Sequence, residues 1–244
     1  MIKSTFEQFE ISPYVSMVTE YFDLSITTIT MYLGGAIVIV IGIFSLMVHK
    51  ATLIGNKWQN FGELFYEFFI DLLLVQIGKA GILFFPLIFS IFVFILILNL
   101  MGLVPLSFTI TGQIMITFSL AIIILIGLTI FGFRIHGVKF VNLFIPSGLN
   151  PGLVPLLVLI EIMSYLLRPI SLAVRLFANM LAGHILLHII GGAAIVLFQY
   201  FYVGLLPWIC VCAFSLLELG IAFLQAYVFS ILVVIYISNI IYLH

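Results

Sequence analysis

Residues 151–190 read PGLVPLLVLIEIMSYLLRPISLAVRLFANMLAGHILLHII, a stretch in which the only acids and strong bases are Glu161, Arg168 and Arg175. Asn150-Pro151 reads as a helix start. An unbroken helix from there to about Ile190 would be ~60 Å long at ~1.5 Å per residue, whereas a bilayer's hydrocarbon core is only ~30 Å thick. This helix, 151–190, must therefore be steeply inclined, bent or broken, with Pro169 as the expected bend and Gly191-Gly192 as the expected stop. A second block, 207–242 from Pro207 to Tyr242, is just as apolar and poses the same problem.

The rest of the chain demands the same solvent. Of 244 residues 65% are apolar and 7% charged, against roughly a quarter charged in ordinary soluble domains, so the chain must take lipid as its main surroundings. Lipid admits only helices and closed barrels, because every backbone polar group has to be satisfied within the protein. Barrel strands alternate apolar and polar residues; the long unbroken apolar blocks here point to an all-α, polytopic membrane protein. Blocks at about 29–48, 83–104 and 112–133 each approach the ~20 residues of a simple span. With the two long ones they make about five membrane-embedded helices in a single domain, 29–244. Between the first two spans, Gln59, Glu63, Glu67 and Asp71 recur every fourth residue, while Phe61, Leu64, Phe65, Phe68 and Leu72 take the other side. That pattern predicts an amphipathic surface helix over 58–79, for which lipid anchoring of the Phe-rich face is a sufficient account.

Residues 1–28 carry Glu7, Glu10, Glu20 and Asp23 against Lys3. They lack the basic start of a signal peptide and the Arg-rich pattern of a transit peptide. Counting Lys and Arg beside the spans places Lys50, Lys57, Lys79, Arg134 and Lys139 on one side and Lys3 alone on the other. The basic side is the inner one, so five crossings put the N-terminal segment outside and His244 inside. A net charge of −1 and the lack of a basic tract exclude a nucleic-acid partner. Cys210 and Cys212 sit too close for an ordinary helix disulfide and are too few for a metal framework; both read as small core residues. His49 and His136 fall at inner-side boundaries, where interfacial solvation accounts for them. His184 and His188, one turn apart, could bind a metal with Glu218, but polar packing or proton relay explains them without one, and no metal or cofactor is expected. No phosphate-cradling loop or nucleophile motif is present, so ATP itself is not handled by this chain.

Past residue 140 the only acids and strong bases are Glu161, Arg168, Arg175 and Glu218, all within apolar helix. Each costs at least ~2.5–3.5 kcal/mol at membrane depth. The plain explanation is that they pair to fasten helices together. Spacing argues for more: Glu161, Arg168 and Arg175 are seven apart and share one drifting stripe, and Asn179 follows one turn past Arg175. His184 lies half a turn out of phase with Arg175 and ~13 Å further along. Glu218 and Gln225 repeat the spacing of seven on the second long helix. A guanidinium keeps its proton at any physiological pH, so Arg175 cannot relay protons as Glu or His can. It blocks direct leak between titratable groups and attracts a carboxylate, which has to come from a partner.

The run Arg168-Pro169-Ile170-Ser171-Leu172-Ala173-Val174-Arg175-Leu176-Phe177-Ala178-Asn179-Met180-Leu181-Ala182-Gly183-His184 resembles the signature of the a-subunit family of F-type ATP synthases, the proton-conducting stator beside the rotating c-ring. Asn99 to Pro105, and Glu218 with Leu224 to Phe229, resemble two further segments of that family. The resemblance implies that Arg175 is the essential arginine facing the c-ring, with Asn179 and Gln225 as polar neighbours. It implies that Glu161 belongs to the inner half-channel and that His184 and Glu218 line the outer one, with Arg168 in an inner-side electrostatic role. The His184/Glu218 arrangement is similar to mitochondrial members, where bacterial ones exchange the two residue types, and implies the mitochondrial inner membrane. Implied partners are the c-ring, other stator and membrane subunits, and lipid, with protons as the transported ion. The competing class is a secondary proton- or sodium-coupled transporter, which usually shows an internal repeat; none is found here. A purely structural subunit is a third reading, in which replacing Arg175 would disturb assembly alone.

Overall fold

The computed structural model describes residues 13–15, 25–48, 57–104, 107–144, 154–197 and 201–242. Helices α1 (Thr28–Val48), α2 (Lys57–Gln76), α3 (Phe85–Gly102), α4 (Ile114–His136), α5 (Val154–Leu197) and α6 (Phe201–Ile241) carry nearly all of it. Short 3-10 turns at Lys79–Phe84, Ile110–Gly112 and Gly137–Phe144 and a two-stranded pairing of Pro13–Val15 with Ile26–Thr27 complete the described elements. Five stretches are long and apolar enough to span a bilayer: Thr28–Met47, Lys79–Gly102, Ile114–Val141, Val154–Leu197 and Leu206–Ile241. The protein is all-α and polytopic. Most of the N-terminal segment 1–28 and the Asn150-Pro151 helix start lie outside the described residues, as do His49 and Lys50.

Several hydroxyl side chains inside the spans turn back onto their own helix. Ser90, Thr129, Ser215 and Ser230 each donate to the carbonyl three residues earlier at 2.8–2.9 Å, which is how a lone hydroxyl is satisfied where no water reaches.

Contacts divide the chain into two compact units, one of residues 1–43, 93–117 and 175–226, the other of 44–92, 118–174 and 227–244. In the first, Ala36 of α1, Ile97 and Leu98 of α3, and Phe108 and Ile110 beyond it form a core, with Tyr32, Leu33, Phe94 and Met101 packed around it. Ser107 closes the end of α3: its single hydroxyl proton is shared between the carbonyls of Met101 and Val104, each 2.7 Å from Oγ.

The second unit is built on aromatic rings. Phe69 of α2 is fully buried against Phe89 and Phe92 of α3, at centroid distances of 5.6 and 4.8 Å, and Phe65 reaches Phe92 at 6.2 Å. Part of the Phe-rich face for which lipid anchoring seemed sufficient is therefore a protein contact; Phe61 and Phe68 stay exposed. α2 ends at Gln76 rather than near 79, because Gly78 takes φ +78°, a backbone region open to glycine. The free carbonyls at that end are taken by α6: Ser238 donates to Gln76 at 3.0 Å and Tyr242 to Ile77 at 2.6 Å. His136, expected to be held by interfacial water, instead donates from Nε2 to the Ile240 carbonyl at 2.8 Å.

Pro169 does not interrupt α5. Lacking an N–H, it cannot bond the carbonyl four residues earlier, that of Tyr165. The hydroxyl of Tyr236 on α6 donates to that same carbonyl at 2.8 Å, both groups buried, with the two rings edge to face at 5.0 Å. The expected stop at Gly191-Gly192 is absent: the helix runs on to Leu197. Two glycines cost about 1 kcal/mol each in helix propensity, less than opening backbone hydrogen bonds in an apolar medium. α6 likewise begins at Phe201 and takes Pro207 inside it. Cys210 is half-buried and Cys212 exposed, both free, which corrects the core reading of the pair; two positions apart on a helix point to nearly opposite sides.

Candidate functional site

The first unit holds the second part of α5 and the first two-thirds of α6. Asn179 and His184 of α5 and Glu218 and Gln225 of α6 come to lie where these parts of the two helices pack, the α6 pair sharing a face through its spacing of seven. Glu218 is buried, as are Gln225, one helical repeat further, and His184 on α5. Asn179, Glu218 and Gln225 line one small cavity of about 20 Å³, together with Asn99 from α3 and the apolar walls Leu176, Met180, Ile221 and Ala222. That is room for about one water molecule.

Two contacts build this cavity. Asn99, with no exposed surface, donates Nδ2 to the Ala222 carbonyl of α6 at 3.2 Å; its Oδ1 is left buried without a partner. Gly183 leaves the space that the Glu218 side chain occupies: a Cβ built there would collide with the carboxyl group, reaching its Cδ at 2.8 Å. Glu218 thus lies flush against α5 at Gly183, and the next residue, His184, hydrogen-bonds the Gly102 backbone at the end of α3 through its ring. Both Glu218 oxygens are buried and have no hydrogen-bond partner among the described residues. A carboxylate in that position costs several kcal/mol unless it takes up a proton or a donor, so the chemistry open to it is proton or water binding.

Arg175 stands one turn of α5 before Asn179. It is exposed, takes no part in lining the cavity, and among the described residues makes no hydrogen bond or ion pair. Ser171, Ala178 and Ala182, which share its face by helical spacing, are exposed as well. Arg168 and Glu161 lie on α5 within the second unit, the first exposed and the second half-buried. Of the residues singled out from sequence, the structure brings together Asn179, Glu218 and Gln225, sets His184 beside Gly183 at the Glu218 contact, and leaves Arg175 open.

Asn99 and Gly183 were not assigned roles from sequence. Asn99 carried a usable signal, being the one polar side chain other than a hydroxyl in the apolar run 85–104. Gly183 carried none, since its function is the absence of a side chain opposite a residue 35 positions away.

Long apolar helices holding an open arginine, a buried carboxyl and a buried imidazole at membrane depth define a polytopic membrane protein with an ionisable interior. Residues 28–238 match the ATP synthase A chain family. The chain is 67% identical to ATP synthase subunit a of Dictyostelium citrinum and 66% to that of Dictyostelium discoideum, each over the full length of both chains. It is 39% identical to the bacterial ATP synthase subunit a of Paramagnetospirillum magneticum over 98% of each chain. The chain belongs to the ATP synthase A chain family, the proton-translocating stator subunit of F-type ATP synthases, and is a component of that complex.

Proposed function

We propose that this chain carries protons to and from a rotating c-ring through two offset half-channels, with Arg175 as the fixed charge between them. The observation that carries the reading is the exposure of Arg175 on a spanning helix, without a partner among the described residues. A bare guanidinium facing lipid is costly, so this face is covered in the complex by a surface that supplies a carboxylate. Ser171, Ala178 and Ala182 beside it are small, which lets a partner helix approach closely. The partner that fits is the c-ring.

In this mechanism a proton enters from the outer side by way of Glu218 and His184, with Asn179 and Gln225 lining the route, and neutralises a c-ring carboxyl. The neutral form crosses lipid cheaply, whereas the charged form does not. After nearly a full turn the proton leaves through the inner half-channel at Glu161, with Arg168 adding positive potential there, and the ionised carboxylate pairs with Arg175. Each charge that crosses contributes about 2.3 kcal/mol per 100 mV. The chain performs no ATP chemistry itself. The Dictyostelium relatives and the His184/Glu218 arrangement support the mitochondrial inner membrane, and the Lys and Arg distribution supports an N-terminus in the intermembrane space and a C-terminus in the matrix.

The test is Arg175→Ala in the assembled complex. ATP-driven proton pumping should fall roughly 100-fold, equivalent to about 2.7 kcal/mol, with the subunit still incorporated. Cysteines at Ser171, Ala178 and Ala182 should crosslink to a c-subunit helix. Coupled pumping in Arg175→Ala without a second-site change, or labelling of these three positions by lipid probes alone, would falsify the proposal.

A further inference from the structure

α3 and α4 do not close on one another along their whole length. Between them lies a cavity of about 540 Å³, walled by Leu83, Leu87, Ile91, Ile123, Gly127 and Phe131 among others, with an almost wholly apolar lining. Its volume falls in the ~300–1,000 Å³ range of ligand sites and is too small for a further helix, which with side chains is ~10–12 Å across. Gly127 opens the wall: a Cβ built there meets nothing within 4 Å.

One end of the cavity is marked by the contact of Phe84 with Phe131, edge to face at 5.2 Å. Just beyond that level the segments that flank the cavity carry cations. Lys79 stands five residues before Phe84, and Arg134 one turn after Phe131, both exposed. The 3-10 turn Gly137–Phe144 then folds back: Phe140 is buried, packs on Phe133 at 4.8 Å and fills the space over Gly132. This holds the exposed Lys139 at the same end. No Asp or Glu occurs between Asp71 and Glu161, so nothing in the segments that form this end neutralises the three.

We propose that the groove between α3 and α4 holds an acyl chain of an anionic phospholipid, whose phosphate is held by Lys79, Arg134 and Lys139. The apolar wall and the cationic rim are separate observations, and a lipid is the occupant that uses both. Basic pockets between spanning helices are a recurrent setting for anionic headgroups. A neutral lipid would fill the wall and leave the cations unused.

The experiment uses the whole complex in phosphatidylcholine nanodiscs, with phosphatidylglycerol carrying a photoreactive group on one acyl chain, and the same probe with a choline headgroup for comparison. The glycerol probe should label peptides covering 83–91 and 123–131, with competition by unlabelled phosphatidylglycerol and not by phosphatidylcholine. Replacing Lys79, Arg134 or Lys139 by Ala should lower this labelling about fivefold per cation. Gly127→Leu, which has space for its side chain, should abolish labelling of both peptides while the complex stays assembled and pumping. Equal labelling by the two probes, labelling unchanged by Gly127→Leu or by the cation substitutions, or crosslinks from the groove to a helix of another subunit would each overturn the proposal.

Discussion

The two units use their polar side chains in opposite ways. In the unit of residues 44–92, 118–174 and 227–244, the polar groups of α6 close backbone carbonyls: Tyr236 serves Tyr165, Ser238 serves Gln76 and Tyr242 serves Ile77. In the unit of 1–43, 93–117 and 175–226, Asn99 makes one such bond and keeps Oδ1 open, and the Glu218 carboxyl has none. The first arrangement answers the demands made by the end of α2 and by Pro169 and therefore ties these segments together, while the Tyr165 hydroxyl stays buried without a partner among the described residues. The second leaves a demand unmet inside a water-sized cavity, which is destabilising unless something is bound there. On the proposed function, stability and transport are thus divided along single helices, since α5 and α6 each contribute to both units.

Substitutions can separate the two. Gly183→Ala should have the largest effect of those that leave the charges intact: its Cβ meets the Glu218 carboxyl, and overpacking costs about 1–3 kcal/mol. Proton pumping should drop by roughly tenfold or more for that displacement. Combining it with Glu218→Asp, one methylene shorter, should recover part of the loss, whereas Glu218→Asp alone should not improve on the native chain. If Gly183→Ala pumps normally, the close seat of Glu218 is irrelevant to transport.

In the other unit, Tyr236→Phe should leave the Tyr165 carbonyl buried and unbonded, costing about 1–2 kcal/mol, read as a lower thermal midpoint of the solubilised complex. In a Pro169→Ala background the restored N–H takes that carbonyl, and the same Tyr236→Phe change should cost much less. A cycle with no coupling between the two positions would show that the tyrosine bonds the carbonyl incidentally. The smallest effect belongs to Tyr242→Phe, about 1 kcal/mol or less for one partly buried bond, seen as faster hydrogen exchange at the end of α2 with pumping unchanged.

How much of this was legible in the sequence follows from the range of each interaction. The helical, membrane-spanning character was readable because it depends on local composition and on the bilayer's thickness, and the five spans lie where the apolar blocks do. The Phe-rich helix was readable as amphipathic, yet its partner α3 was not, because a stripe of rings looks the same to lipid as to Phe89 and Phe92. The continuation of α5 through Gly191-Gly192 was misread by rules drawn from helices in water, where freed backbone groups find a solvent partner. Here the donor for the proline is a tyrosine 71 positions away. At the site, Glu218 and Gln225 were legible from their spacing of seven and Asn179 from its place one turn past Arg175, whereas Asn99 enters from 123 positions before its partner Ala222, beyond the reach of any periodicity.

Because the backbone of α5 itself forms one wall of the pocket for the acid, the size of residue 183 and the length of the side chain at 218 are a single choice. A bulkier residue at the first position is compatible only with a shorter acid at the second or with wider helix spacing. Variation at these two places should therefore occur in pairs, and a chain that enlarges residue 183 alone must shift the end of its carboxyl group away from the backbone of α5.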